Sequence, residues 1–142
     1  MTQAEKNRQV VIDETETIFN RKELGGVESF FTPDFADHSS NGDGDLASYK
    51  VECEAIVNAF PDLHVRLDEV IAQGDTVVKR FTATGTHRGE YFGIPASGGH
   101  VTVRGMYMYH VRDGKISEQW RILDSLSFMQ QLGAIPQPAQ AR

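Results

Sequence analysis

The hydrophobic period of this chain changes from 3.6 to 2 just after Pro61. Before it, apolar side chains recur every three or four residues. Leu46, Tyr49, Cys53, Ile56, Val57 and Phe60 fall along one side of a helix that opens near Asp45 and stops at Pro61. After it the period is two. "LHVRLDEVIA" and "DTVVKRFTATGTH" read as strands joined by a turn at Gln73-Gly74-Asp75, and "HVTVRGMYMYHV" as a third, longer strand. Arg112-Asp113-Gly114-Lys115 is a tight-hairpin signal, and "ISEQWRILD" is the returning strand. Upstream, spacing predicts a first helix from about Gln3 to Arg21 and a short one in "VESFF" ending near Pro33. "DFADHSSNGDGD" is expected to be a short extended piece and a turn-rich loop, and "SLSFMQQLG" a last helix capped by Gly133. Helices first and antiparallel strands after define an α+β chain, with helices covering one face of a sheet. The expectation is one domain over residues 1–142, with 1–4 and 134–142 as loose tails.

Charge narrows the function. The net charge is −6 and no Lys/Arg-rich run occurs, so neither nucleic acid nor an anionic membrane is an expected partner. The polar start "MTQAEKNRQ" lacks the apolar centre of a signal peptide, and a cytoplasmic location is expected. Cys53 is the single cysteine, which excludes an internal disulfide and any Cys-based metal set. No His-x-x-x-His pair or spaced acids suggest a metal site, and no Lys-Ser/Thr phosphate loop or Gly-x-Ser-x-Gly elbow is present.

Parity assigns the strand faces. On the 100–111 strand the odd positions, Tyr107 and Tyr109 among them, form the cleaner apolar face and are expected under the helices. Gly105 leaves space on that face. On the last strand Ile116, Glu118, Trp120, Ile122 and Asp124 share one parity, and that face is also assigned inward. A carboxylate placed there either caps the following helix, as Asp124 can, or acts as a general base with a raised pKa. Glu118 would be a buried, hydrogen-bonded acid. His64 and His110 fall on outer faces, whereas His38 and His87 lie where elements end, near the mouth of the sheet. The other face of the 100s strand carries Arg104, Met106, Met108 and His110, too apolar for open solvent, and a homodimer through it is expected.

The set "AFPDL", "GDTVVKRFTATGTHRGEYFGIPASGG", "VRDGKISEQWRILD" and "QQLG" resembles the SnoaL-like polyketide cyclase family, over about Phe30 to Gly133. That resemblance implies a cone: a strongly curved, mostly antiparallel sheet around N-terminal helices, enclosing an apolar pocket. It also implies a cofactor-independent enzyme that removes a proton beside a carbonyl in a small hydrophobic compound, giving cyclisation or isomerisation. Asp124 matches the family's base. Tyr107 stands where characterised members carry a histidine, and as a phenol could donate to an enolate oxygen. His87 matches the histidine of the "Gly-x-His-x-Gly" segment. His38 stands near the position of the base in ketosteroid isomerases, which share the architecture. Phe60, Tyr91, Ile94, Glu118 and Trp120 are the expected substrate-binding residues. Two alternatives remain: a ligand-binding protein without turnover, and epoxide-hydrolase-like water addition. For the latter, Arg104 lacks an acid two residues on, and Arg80 lacks the second acid.

Overall fold

The computed structural model describes residues 1–136. Helix α1 (Gln3–Thr15) opens on Thr2, whose side chain accepts from the Glu5 amide. Gln3 and Ala4 are therefore helical, not part of a loose tail; of the other expected tail, 137–142 lie outside the described residues. One wide π-type turn, Glu16–Asn20, extends α1. Asn20 then acts as a strand partner, donating to the Val65 carbonyl at 3.0 Å and accepting from the Val65 amide at 2.7 Å.

A short helix α2 (Val27–Phe30) feeds strand β1 (Phe31–Ser39), and β2 (Gly42–Gly44) folds back on it. The stretch read as a turn-rich loop is thus a small hairpin. Helix α3 (Leu46–Ala59) starts on Asp45, which caps the Ser48 amide at 2.9 Å. Then come β3 (His64–Gln73), β4 (Thr76–Thr86), β5 (His100–Arg112) and β6 (Lys115–Leu123), and the short helix α4 (Ser125–Leu132). The sheet order is β2-β1-β6-β5-β4-β3. It is antiparallel except for β1 against β6, which run parallel. The sheet is therefore mixed, and it wraps the helices as an open cone.

The β5–β6 turn follows the sequence signal: Asp113 and Gly114 both take positive φ, 52° and 79°. The register after the turn does not follow simple alternation. Val111 faces Ile116, and then a bulge intervenes, so that His110 faces Glu118. The extra residue, Ser117, turns every later side chain of β6 over. Gln119 and Arg121 join Tyr109 and Tyr107 on the inner face. Glu118, Trp120 and Ile122 point outward, and the inward assignment of that parity is corrected from Glu118 onward.

Two apolar clusters share the interior, one around Phe31, Phe35, Tyr49 and Tyr109, the other around Phe60, Phe81, Val103 and Phe128. The space left by Gly105 is filled by a neighbour. A Cβ built there would lie 2.7 Å from Phe81 Cζ and 3.0 Å from the Ile122 carbonyl oxygen. The expected outcome of Gly105→Ala is a loss of about 1–3 kcal/mol of stability, from displacement of the Phe81 ring. Urea unfolding measures it; an unchanged midpoint would show that the ring moves freely.

Candidate active site

Ladder register builds the site. Lys79 pairs with Tyr107, and Tyr107 with Arg121, so three polar side chains form one row across β4, β5 and β6 on the inner face. An apolar row lies on one side: Phe81, Gly105 and Leu123. Val77, Tyr109, Gln119 and Asp37 form the row on the other. Above the sheet, α3 contributes Tyr49, Glu52, Cys53 and Ile56 at helical spacing. Between these layers is a mostly apolar cavity of about 130 Å³.

Arg121 organises the polar end. Its Nε and one terminal nitrogen donate to the two oxygens of Asp37 at 2.9 and 2.7 Å. Gln119 adds a third bond to Asp37 at 3.0 Å. Glu52 Oε2 lies 2.9 Å from the same guanidinium, which also rests over the Tyr49 ring at 5.1 Å. Burial works against the Arg121 charge, but hydrogen bonding to Asp37 and the nearby phenols outweigh it, and its pKa is raised. It is a fixed cation. Burial pushes the Tyr107 phenol up to about 12, against the pull of Arg121, so it remains a donor. Burial also pushes the Cys53 thiol up to about 12; it is a packing residue and no nucleophile.

The expected site residues divide. Tyr107, Phe60 and Tyr91 line the cavity. Ile94 lines an adjoining open hollow with Asn41, Phe92 and Met129, next to the shared residues Glu52 and Tyr91. His87 is fully buried but absent from the cavity wall: Nδ1 accepts from the Ser97 amide at 3.2 Å, and the ring stacks on Phe60 at 5.3 Å. Its Nε2 has no partner among the described residues. Asp124 is exposed, outside the cavity, and accepts from the Ser127 amide at 3.2 Å as the cap of α4. The bulge carries it out of the inner face.

His38, Glu118 and Trp120 form a separate cluster on the outer face. The His38 ring nitrogens meet Asp43 at 2.8 Å and Glu118 at 2.7 Å, and its ring stacks on Trp120 at 5.2 Å. His110 packs against the other side of this group, 3.7 Å from Glu118. Parity counting missed Arg121, Asp37, Glu52 and Lys79. Glu52 alone carried a usable signal, since it adjoins Cys53 on a helix whose apolar face was legible. Among the described residues, no group of three or more His, Cys, Asp or Glu is arranged to hold a metal ion, and no helix is long and apolar enough to cross a membrane.

The model of the SnoaL-like polyketide cyclase family matches residues 9–132, and the chain belongs to that family. No curated protein matches it. Among solved structures it is similar to AclR, a candidate hydroxylase from Streptomyces galilaeus, with 25% identity over 97% of this chain and 87% of that one, TM-score 0.88. IdmH, a candidate polyketide cyclase from Streptomyces antibioticus, shares 26% identity over 89% and 98%, TM-score 0.77. A candidate SnoaL-like polyketide cyclase from Jannaschia sp. CCS1 shares the fold, with 23% identity over 96% and 98%, TM-score 0.85.

The outer cluster gives a pH dependence. Hydrogen bonds that the His38 ring donates to Asp43 and then to Glu118 raise its pKa above the ordinary value. The folded chain thus holds the proton more tightly than the unfolded one. The stabilisation is full below about pH 6.5, the unfolded value, and is lost as pH rises through the higher folded value. Thermal unfolding from pH 5 to 8 is expected to show His38→Gln losing that component of the slope. Parallel curves for the two proteins would contradict it.

Proposed function

We propose that this chain is a cofactor-independent enzyme acting on a small apolar compound with a carbonyl group, by removing a proton from the adjacent carbon. One observation carries the reading: the apolar cavity holds a carboxylate, Glu52, beside a fixed guanidinium, Arg121, and a neutral phenol, Tyr107. An enolate needs a base at carbon and donors at oxygen, and both line one mostly apolar pocket. In this assignment Glu52 takes the proton, and Arg121 with Tyr107 meets the oxygen. Phe60 and Tyr91 bind the apolar body. Ring closure or isomerisation then depends on how the substrate is folded in the cavity.

Asp124 is displaced as base on this reading, because its carboxylate faces solvent. The acid–Arg–acid set sought for water addition does exist, as Asp37–Arg121–Glu52. Both Asp37 oxygens are occupied and Asp37 is absent from the cavity wall, which favours carbon-acid chemistry over water activation. A binding protein without turnover is the second reading, favoured by the engagement of Glu52 with Arg121.

Deuterium exchange at the carbon beside the carbonyl of a small ketone, followed by NMR, separates these. Glu52→Gln is expected to slow exchange by about 100-fold or more. Asp124→Asn is expected to leave it unchanged, since Asn caps a helix as well as Asp does. Dependence on Asp124 with indifference to Glu52 would reverse the assignment, and binding without exchange would leave a carrier.

The outer face of β5 and β6 supports self-association. Met106 is 51% and Ile122 is 73% exposed, and they are register partners beside Met108 and Trp120. A homodimer through this face covers them. Light scattering is expected to give twice the chain mass, reduced to one chain by Ile122→Glu. A monomeric wild type would exclude it.

A further inference from the structure

Lys79 has no part in the proton transfer assigned above, yet it lines the same cavity. Its side chain is 2% exposed. Its Nζ donates to Thr15 Oγ1 at 2.9 Å and lies 3.8 Å from Glu14 Oε2. Glu14 is fully buried, and its Oε1 has no hydrogen-bond partner among the described residues. A buried ion pair that holds a fold together is short, with its remaining lone pairs satisfied. This pair is long and half satisfied.

Burial disfavours the charged form of both members. It raises the Glu14 pKa, against the attraction of Lys79, and lowers the Lys79 pKa, against the attraction of Glu14. Moving one proton from Lys79 to Glu14 removes two buried charges together. The rings of Phe81, Tyr107, Tyr109 and Phe19, at 5.3, 5.1, 5.5 and 5.8 Å, favour the ammonium form and hold Nζ in place. What remains after transfer is a neutral amine in an apolar cavity with a phenol donor beside it. Such an amine is a nucleophile toward carbonyl carbon.

We propose that Lys79 is a covalent capture site, whose Nζ condenses with the aldehyde or ketone group of a small apolar ligand to form an iminium ion. Glu14 first takes a proton from the ammonium group. The nitrogen lone pair forms the N–C bond while the carbonyl π pair moves to oxygen, and one proton then passes from that nitrogen to the oxygen, giving a carbinolamine. Glu14 returns its proton to the departing hydroxyl, which leaves as water. One ammonium and one carbonyl give one iminium and one water, with no oxidant or reductant. The carbon next to an iminium is more acidic than that next to a ketone, which places Glu52 on an easier proton. This rests on the reading of the cavity as a carbonyl site but not on Glu52 as the base.

The test treats the full chain with pentane-2,4-dione at pH 7, follows the near-ultraviolet enaminone band, and locates the modified lysine by peptide mass mapping. Lys79 is expected to be labelled first, ahead of the exposed Lys6 and Lys115, because burial lowers its pKa and leaves more free amine. The fast band is expected to vanish in Lys79→Met, and equally in Glu14→Gln/Lys79→Met, which leaves no unpaired buried carboxylate. Native wild-type protein labelled evenly on surface lysines, with Lys79 unmodified until denaturant is added, would overturn the proposal. Ketone deuterium exchange in the same preparation separates the two readings. Exchange without Lys79 labelling removes the covalent step and leaves the Glu52 assignment standing.

Discussion

The pairing of Arg121 with Asp37 is the contact on which the interior depends. A guanidinium cannot remain buried without a partner, because the cost of desolvating it exceeds what apolar packing returns. Asp37 meets it with both oxygens, and Gln119 holds Asp37 from the adjacent position on β6. Because β1 and β6 run side by side with Asp37 opposite Gln119, the carboxylate sits at a fixed height in the sheet. The cation is then available to Glu52 and Tyr107 on its cavity side.

A single bulge makes that pairing possible. Had β6 alternated regularly after the hairpin, Trp120 and Glu118 would have entered the interior and Arg121 would have left it. Ser117 supplies the extra residue, and the inner face changes from indole and carboxylate to amide and guanidinium. The consequence is a polar row, Lys79–Tyr107–Arg121, between apolar rows. Electrostatic interactions there are stronger than at the surface, because few water dipoles compete with them. The row thus carries a paired guanidinium at one end and a buried amine at the other, the two groups on which the proposed chemistry rests.

Much of the fold was legible from local signals. Pro61, Asp113-Gly114 and Gly133 act through their own backbone restrictions, and each sits where the sequence places it. The face of β5 was legible because Val101, Val103, Tyr109 and Val111 alternate without interruption, and all four are buried. The site was much less so. A bulge leaves no compositional trace, so counting by twos through Ser117 put Trp120 and Asp124 on the wrong side. Asp37 and Arg121 stand 84 positions apart, and their pairing follows from the parallel β1–β6 contact, which no local pattern announces. Of the two roles open to Asp124, capping was the local one, and it is the one the geometry displays.

A crystal structure with a small phenol bound as an enolate mimic would show where an enolate oxygen is held. The phenol ring is expected among Phe60, Phe81 and Tyr91, with its oxygen in hydrogen-bond range of both Arg121 and Tyr107. A phenol oxygen turned away from that row, or a phenol held at Asp124 or the His38 cluster with the cavity empty, would contradict it.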